Sequence, residues 1–350
     1  MKFEAFLGRI FMFIISVILI FIFIDLLSVV FIKDRRPPIE KTFPVSITRR
    51  PQPYTMFGWS EDLGYPGKKP TPSKEPNEFR IFVVGGSTVV QGNPTITDLL
   101  EEQFKDKGAK NVKVYNSGVI SSVSGQDLTR ILFEVSDFKP DLIIMYNGGN
   151  DILSAYSTDP RPGYPFNFIV YENNPLVDRG VRTYPSIALF AYGSNLLRYL
   201  LKPYFTKKFI PLEQIRQKVK WGSDEWKDNI ARVYVKNLAR ANKISYAFGA
   251  EFIVFFQPMV FYKDPLAPEE QLIYPEQREY CLDMRRRVLS EIDVLKKNSP
   301  SLKFVDLSDI FDNIPECVFT DVIHTRQVYK IIDAKEMYKY IVSNFKIKGL

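Results

Sequence analysis

Residues 81–88 read Ile81-Phe82-Val83-Val84-Gly85-Gly86-Ser87-Thr88, a short apolar run that ends in two glycines and a serine. A continuous apolar run of this length is typical of a strand buried on both faces, as in a parallel sheet. Ser87 is predicted to lie at a strand-to-helix turn, where flanking glycines can hold a serine exposed and leave room for close approach of a substrate. The stretch matches neither a phosphate-binding loop nor a G-x-S-x-G elbow, and Gly-Ser turns are common, so alone it is a weak functional signal.

Downstream, the chain alternates between short apolar runs and segments of helical periodicity. Four more strands are predicted, at residues 112–116, 141–147, 251–256 and 302–307. Helices are predicted near residues 95–107, from Ser124 with Asp127 in the capping-box position, and over residues 224–247, 276–297 and 326–344. This order predicts an α/β three-layer sandwich around a five-stranded parallel, flavodoxin-like sheet. Ligands of such sheets bind beyond the carboxyl ends of the strands, where the strand order reverses.

The N-terminal segment is apolar without a break from Ile10 to Ile24, and the apolar run resumes after Asp25. As a helix, residues 10–32 would reach roughly 34 Å, enough to cross a hydrocarbon core of about 30 Å. A cleaved signal peptide is the alternative, but its apolar region would be shorter and no small-residue cleavage site follows. We therefore expect a short tail over residues 1–9 and a retained transmembrane anchor over residues 10–32. Asp25 is costly inside such a span, so it either contacts another membrane protein or lies near one interface.

The remaining chain is predicted to have two parts, of which the second contains an insertion. Residues 33–78 form a proline-rich linker that packs partly on the domain, and residues 79–350 form the main domain. Residues 152–223 interrupt the alternation as an insertion, which is either a lid or membrane-facing patch or a helical cap with core aromatics. Basic residues flank both ends of the anchor, so the orientation of this single-pass protein stays open; an extracytoplasmic domain is the working prediction.

Composition excludes several classes of function. The chain has 350 residues, 45% of them hydrophobic, so it can bury a sizeable core. Cys281 and Cys317 are too few for a disulfide framework and match no zinc pattern, and a single histidine excludes a multi-histidine metal site. The net charge of +7 suits anionic lipid or an acidic polymer, and the sequence carries no nucleic-acid motif. No cofactor is implied.

Three further motifs carry potential chemistry. The only histidine, His324, ends the sequence Asp321-Val322-Ile323-His324, and the carboxylate three residues earlier could orient its ring. Gly118, in Asn116-Ser117-Gly118 after the second strand, can aim its backbone N–H at an oxyanion. Asn150, in Gly148-Gly149-Asn150-Asp151 after the third strand, can donate from its side-chain amide. Taken singly, each of the two glycine-containing motifs is also an ordinary turn, and a lone histidine near a C-terminus is also compatible with a surface or core residue.

Taken in order, these motifs resemble the SGNH/GDSL hydrolase superfamily, which is named for a serine, a glycine, an asparagine and a histidine in separate blocks. Ser87, Gly118, Asn150 and His324 occupy the four positions, and the resemblance covers about residues 80–345. The first block departs from the family pattern, since Gly86 replaces an aspartate and a threonine replaces the leucine after Ser87.

The resemblance implies a role for each residue. Ser87 would attack an acyl carbonyl, His324 would take its proton, and Asp321 would accept a hydrogen bond from the other ring nitrogen. The Ser87 N–H, the Gly118 N–H and the Asn150 side chain would form the oxyanion hole. Asp151 is expected to be a structural partner of the turn.

Three functions are compatible with these residues. The first is a serine esterase that removes a small acyl group, such as acetyl, from a glycan or cell-envelope ester. The second is an acyltransferase that passes the same acyl group to a sugar hydroxyl. The third is a non-catalytic scaffold of a membrane complex, acting through Asp25 and the insertion. A lipid ester is a further possible substrate, since the anchor would hold the site near a bilayer.

Overall fold

The computed structural model describes residues 2–32, 49–50, 58–59, 68–166, 168–169, 194–197, 199–200, 212–298 and 301–347. The chain divides into two compact units. The first comprises Met1–Ser46 and Asn167–Gln214, and the second comprises Ile47–Phe166 and Ile215–Leu350.

The second unit is built on a parallel sheet. The seven described strands of this unit are β1 (Arg49–Arg50), β2 (Gly58–Trp59), β3 (Phe79–Gly85), β4 (Val112–Asn116), β5 (Leu142–Asn147), β6 (Glu251–Phe256) and β7 (Lys303–Asp306). The first two form a small antiparallel pair, and the other five form one sheet in the order β4-β3-β5-β6-β7. All four pairings in the larger sheet are parallel. This is the flavodoxin-like order, and it reverses between β3 and β5, which places the expected ligand site at their carboxyl ends.

Helices cover both faces of this sheet. The described helices of the second unit are α2 (Ser87–Val90), α3 (Ile96–Asp106), α4 (Ser124–Phe133), α5 (Gly149–Ser157), α7 (Asp224–Ala247), α8 (Arg278–Asn298) and α9 (Lys330–Asn344), besides short 3-10 turns. The first unit holds α1 (Lys2–Phe31), and α6 (Leu212–Lys218) crosses from the first unit into the second.

Alternation along the strands explains the three layers. Phe82 and Val84 of β3 face one apolar cluster, which contains residues of α4, α7 and α8. Ile81 and Val83, the residues between them, face a second cluster, with α3 and α9. Since successive strand residues point to opposite faces, an uninterrupted apolar run buries both faces of the sheet. The predicted α/β sandwich with a five-stranded parallel sheet is confirmed.

The end of the predicted linker is part of the second unit, where it is bound by a buried arginine. Arg80 is fully buried, and its guanidinium donates to the carbonyl oxygens of Thr71 at 2.6 Å, Ser73 at 2.7 Å and Phe138 at 2.8 Å. A guanidinium presents five donors in a planar fork, so one buried side chain can satisfy several loop carbonyls. The later half of the linker also contains the aromatic residues Tyr54, Phe57, Trp59 and Tyr65, which suggest packing on the domain; their side chains lie outside the described residues.

The predicted capping role of Asp127 is wrong. The Val123 N–H that precedes α4 donates instead to the side-chain oxygen of Gln126 at 3.2 Å. Asp127 points into the second unit, where it accepts hydrogen bonds from Ser122 and, at 2.7 Å, from Asn147. The competing long-range partners explain the difference, because a capping box needs the acidic side chain to turn back to its own helix.

In the first unit, α1 is longer than the predicted anchor. The helix begins at Lys2, so the described part of the predicted tail is helical. Its stretch Phe6–Phe31, 26 residues long, is long and apolar enough to cross a membrane. The predicted insertion contains a basic and aromatic stretch at residues 198–209. Of these residues, only Tyr199 and Leu200 are described, and both are exposed.

Candidate active site

Ser87 stands at the first position of α2, directly beyond the carboxyl end of β3. The turn needs its glycines. Gly85 has φ +153°, and a Cβ there would lie 2.2 Å from the carbonyl oxygen of Tyr146. The backbone N–H groups in the first turn of a helix have no intrahelical acceptor, so the Ser87 N–H is available to an incoming oxygen. The serine itself is only 6% exposed.

His324 and Asp321 lie on a closed loop that precedes α9. Asp321 Oδ1 accepts hydrogen bonds from the N–H groups of Ile323 at 2.9 Å and His324 at 2.8 Å. The carbonyl oxygen of His324 in turn accepts from the Thr320 N–H at 2.8 Å. These bonds explain the three-residue spacing of the motif, because the aspartate both closes the turn and stays within reach of the ring.

The three side chains form one continuous hydrogen-bonded line. His324 Nδ1 lies 2.7 Å from Asp321 Oδ2, and His324 Nε2 lies 2.7 Å from Ser87 Oγ. Burial alone would raise the pKa of Asp321, but hydrogen bonds from the His324 ring and from two backbone N–H groups hold this pKa below its usual value. The carboxylate therefore stays ionised at neutral pH, where it can stabilise a protonated imidazole.

Asn150 is held at the same site by a backbone carbonyl. It lies in the first turn of α5, after β5, and its Nδ2 donates to the carbonyl oxygen of Ser122 at 2.8 Å. One N–H of the amide is used there, and the second is free to meet an oxyanion. A Cβ on Gly86 would lie 2.3 Å from Asn150 Nδ2, which shows how closely the backbone before Ser87 approaches this amide.

Gly118 follows β4, as predicted, but its N–H is engaged in the resting site. It donates to Asn116 Oδ1 at 3.0 Å, while Asn116 Nδ2 donates to the carbonyl oxygen of Val89 at 2.7 Å. A Cβ on Gly118 would lie 2.8 Å from Val89 Cβ, so glycine is needed here for contact with α2. This N–H can therefore donate to an oxyanion only if its hydrogen bond to Asn116 Oδ1 breaks or becomes bifurcated between Asn116 and the oxyanion.

A buried polar network lies under this part of the site. Asp151 accepts hydrogen bonds from Ser124 Oγ at 2.5 Å and from the Ser124 N–H at 3.0 Å. Burial raises the pKa of Asp151 to about 7, and burial likewise raises the pKa of Asp127 to about 6. Asp127 binds Ser122, the residue whose carbonyl holds Asn150. Asp127 therefore supports the residue that positions the Asn150 amide, while Asp151 binds the first residue of α4.

A buried ion pair supports the histidine loop. Lys263 Nζ and Glu270 Oε2 are 2.6 Å apart, with side chains 1% and 0% exposed. Glu270 also accepts from the N–H groups of Val318 at 2.8 Å and Phe319 at 2.9 Å, just before Asp321.

Sequence reasoning missed this pair, and also Asn116 and Ser122. Asn116 could have been suspected from its place beside Gly118. The pairing of Lys263 with Glu270 depends on loop packing that no local pattern reports.

Among the described residues, no group of histidine, cysteine and acidic side chains is arranged to hold a metal ion.

No family model matches the chain, and no curated protein matches it in sequence. Among solved structures, the chain is similar to a lipase/acylhydrolase from Enterococcus faecalis, at 15% identity and a TM-score of 0.43 over 78% of this chain and 100% of the other. It is also similar to a GDSL-like lipase from Bacteroides thetaiotaomicron, at 13% identity and a TM-score of 0.39 over 76% and 89%. A third is an acetylxylan esterase mutant from Geobacillus stearothermophilus, at 13% identity and a TM-score of 0.41 over 78% and 98%.

Identities and TM-scores this low carry no conclusion about chemistry, which rests on the residues of this chain. Those residues comprise a serine after β3, a glycine after β4, an asparagine after β5 and an Asp-x-x-His pair after β7. The serine and the histidine are in hydrogen-bond contact. In the order of its motifs and the geometry of this contact, the chain resembles the SGNH/GDSL hydrolases.

Proposed function

We propose that the chain is a serine esterase that acts through an acyl-serine intermediate at Ser87. The observation that carries this proposal is the unbroken hydrogen-bonded line from Asp321 through His324 to Ser87. An assembled nucleophile, base and orienting carboxylate is the arrangement that activates a serine hydroxyl. A scaffold would not need these three groups in contact.

The reaction proceeds in two balanced steps. In the first, Ser87 Oγ bonds to the ester carbonyl carbon while His324 Nε2 takes the serine proton, and Asp321 stabilises the imidazolium. The tetrahedral oxyanion accepts hydrogen bonds from the Ser87 N–H and the Asn150 amide. The imidazolium then gives its proton to the departing alcohol as the C–O bond breaks.

In the second step, water attacks the acyl-serine. His324 takes one proton from this water and returns it to Ser87 Oγ as the free acid leaves. Proton transfer of this kind contributes typically 10²–10⁴-fold to the rate.

The low exposure of the serine favours a small acyl group. Ser87 is 6% exposed, and Val89 is buried directly behind Gly118. Long acyl chains need an apolar channel, whereas acetyl needs only a short space beside the hydroxyl. The size limit is therefore part of the proposal.

An acylated glycan is the favoured substrate. Beside Asp321 lies an open depression of about 450 Å³, lined by residues that include Leu272, Tyr274 and Thr320. Tyr274 is 56% exposed there. An exposed aromatic face next to hydroxyl and carboxylate groups suits a saccharide, which offers both C–H faces and hydroxyl groups. The net charge of +7 agrees with an acidic envelope polymer.

Labelling with a fluorophosphonate probe and turnover of p-nitrophenyl esters of increasing chain length test this function. The full chain in detergent is compared with Ser87→Ala, His324→Ala and the control Ser136→Ala, a serine outside the site. We expect labelling and turnover that depend on Ser87 and His324 but not on Ser136. Among the esters, p-nitrophenyl acetate should be the best substrate. If the unaltered, folded chain is not labelled by the probe, the proposal is contradicted.

Two refinements are tested separately. If a sugar acceptor yields acyl-sugar without matching release of free acid, the acyl-enzyme is resolved by transfer instead of hydrolysis. We also propose that α1 anchors the protein in a membrane with the second unit on the extracytoplasmic side. A reporter fused after Leu350 that is active in the cytoplasm would contradict that orientation.

A further inference from the structure

Asp25, the one charged residue of the stretch Phe6–Phe31 other than Arg9, has partners within its own chain. Its Oδ1 accepts hydrogen bonds from Ser194 Oγ and from the Leu196 N–H, each at 2.7 Å. All these residues belong to the first unit. The carboxylate thus binds the beginning of the short segment Ser194–Leu197, in which Asn195 to Leu197 are helical.

A second pair of side chains joins the same two elements one helical turn later. Asn195 Nδ2 donates to Ser28 Oγ at 3.1 Å, and Ser28 Oγ donates to the carbonyl oxygen of Asp25 at 2.6 Å. Ser28, Ser194 and Asn195 are 7%, 5% and 6% exposed. The contact is therefore buried, with polar groups of both elements bonded to each other.

The position of Asp25 along α1 sets the depth of this contact. The apolar stretch has 26 residues and is about 39 Å long as a helix. Asp25 lies about 10 Å from its midpoint. In a hydrocarbon core of about 30 Å centred on the stretch, Asp25 would lie roughly 5 Å inside the boundary. Polar groups at that depth are costly unless they bond to one another.

The surface beside the contact is apolar. A groove of about 670 Å³ runs along α1 next to Asp25 and Ser194, and its other lining residues are Val17, Ile18, Phe21, Ile22 and Leu26. Tyr199 and Leu200, just after the bound segment, are 59% and 60% exposed. Large exposed apolar surface is typical of a membrane interaction site, and acyl chains would fill this groove in a bilayer.

We infer that Ser194–Leu197 is a second membrane-embedded element, held just below the lipid headgroups by Asp25 and Ser28. It follows that α1 is a permanent part of the folded first unit. Cleavage of α1 as a signal sequence would remove Asp25, which accepts hydrogen bonds from Ser194 Oγ and the Leu196 N–H. Of the two alternatives predicted for Asp25, the inference favours a position near one interface, with a segment of the same chain as partner in place of another membrane protein. It also gives the insertion a lipid partner.

Depth-dependent fluorescence quenching tests this inference on the full chain in phosphatidylcholine vesicles. Cys281→Ala and Cys317→Ser provide the background, and single cysteines for an environment-sensitive dye are placed by Leu200→Cys, Val17→Cys and Tyr246→Cys. Tyr246 is 81% exposed in the second unit and serves as the aqueous control. We expect spin-labelled acyl chains to quench the dyes at 17 and 200 but not the dye at 246.

The Val17→Cys reading separates the inference from the membrane anchoring on which it rests. Quenching at 17 without quenching at 200 would overturn the embedded segment alone. An absence of quenching at both positions would overturn the anchor and the inference together.

Two substitutions of Asp25 test whether its carboxylate holds residues 194–197 against α1. Asp25→Asn keeps an acceptor oxygen and should preserve quenching at 200. Asp25→Leu, of similar size, should lower the fraction of molecules in which residues 194–197 are bound to α1 by roughly tenfold or more. Quenching at 200 that is unchanged in Asp25→Leu would overturn the role of Asp25. Turnover of a soluble ester by Asp25→Leu reports that the second unit remains folded.

Discussion

Ser87 Oγ and His324 Nε2 lie 2.7 Å apart although 237 positions separate the two residues in the chain. The contact forms because the turn after β3 and the loop after β7 meet at one end of a parallel sheet. Asp321 completes it by binding both the ring and the backbone of the histidine loop. The effect of each substitution at this site follows from which of these bonds it removes.

Substitution of Asp321 by asparagine should impair chemistry more than folding. The asparagine Oδ1 can still accept from the N–H groups of Ile323 and His324, so the loop is retained. Its amide would donate to His324 Nδ1 and leave the proton on Nε2, where Ser87 needs an acceptor. We expect kcat/KM for an acetyl ester to fall by about 10⁴-fold, with an unchanged melting temperature. Activity within tenfold of the unaltered chain would show that Asp321 does not orient the ring.

Gly86→Ala should act through Asn150. The new Cβ would lie 2.3 Å from Asn150 Nδ2 and would displace that amide from the oxyanion side of the site. We expect a loss in kcat of about 10²–10³-fold, similar to that of Asn150→Ala. Because both changes remove the same donor, the double variant should lose little more than either single variant. Additive losses would indicate that Gly86 acts in some other way.

Glu270→Ala should destabilise the protein and loosen the histidine loop together. It leaves Lys263 buried without its partner and leaves the N–H groups of Val318 and Phe319 without an acceptor. Breaking a buried pair in this way costs about 3–5 kcal/mol of unfolding free energy. Glu270→Gln, which keeps an acceptor for these N–H groups, is the matched variant and should lose less activity. Urea unfolding and turnover measured on the same samples check both effects.

The buried carboxyl of Asp333 should make stability depend on pH. Burial raises the pKa of Asp333 to about 7, above its usual value of 3.8, and Tyr146 Oη donates to it at 3.0 Å. Between these two values the folded state binds more protons than the unfolded state, so the unfolding free energy should fall as the pH rises. The fall is at most about 1.4 kcal/mol per pH unit for one group.

Asp333→Asn should flatten part of this dependence between about pH 4 and pH 7. Unfolding free energies from urea titrations across this range provide the measurement. Asp137→Asn, at an exposed aspartate, is the control and should leave the slope unchanged. An equal slope in Asp333→Asn and the unaltered chain would exclude a proton held by Asp333 in the folded state.

The sequence by itself determined the strands, the main helices and the order of the four site motifs. Apolar runs and helical periodicity report the burial of each segment, and this burial is a local property of β3 or α7. Residue chemistry then named Ser87, Asn150 and His324, because few side chains can act as nucleophile, amide donor and neutral-pH base.

Only the tertiary structure decided which groups meet. The engagement of the Gly118 N–H by Asn116, the turn of Asp127 away from its predicted cap, and the binding of Asp25 to Ser194 all depend on contacts between distant segments. A polar side chain has the same local signature whether it faces water, a helix end or a buried partner. Its role is settled by which acceptor or donor the folded chain brings within hydrogen-bond distance, and no local pattern contains that distance.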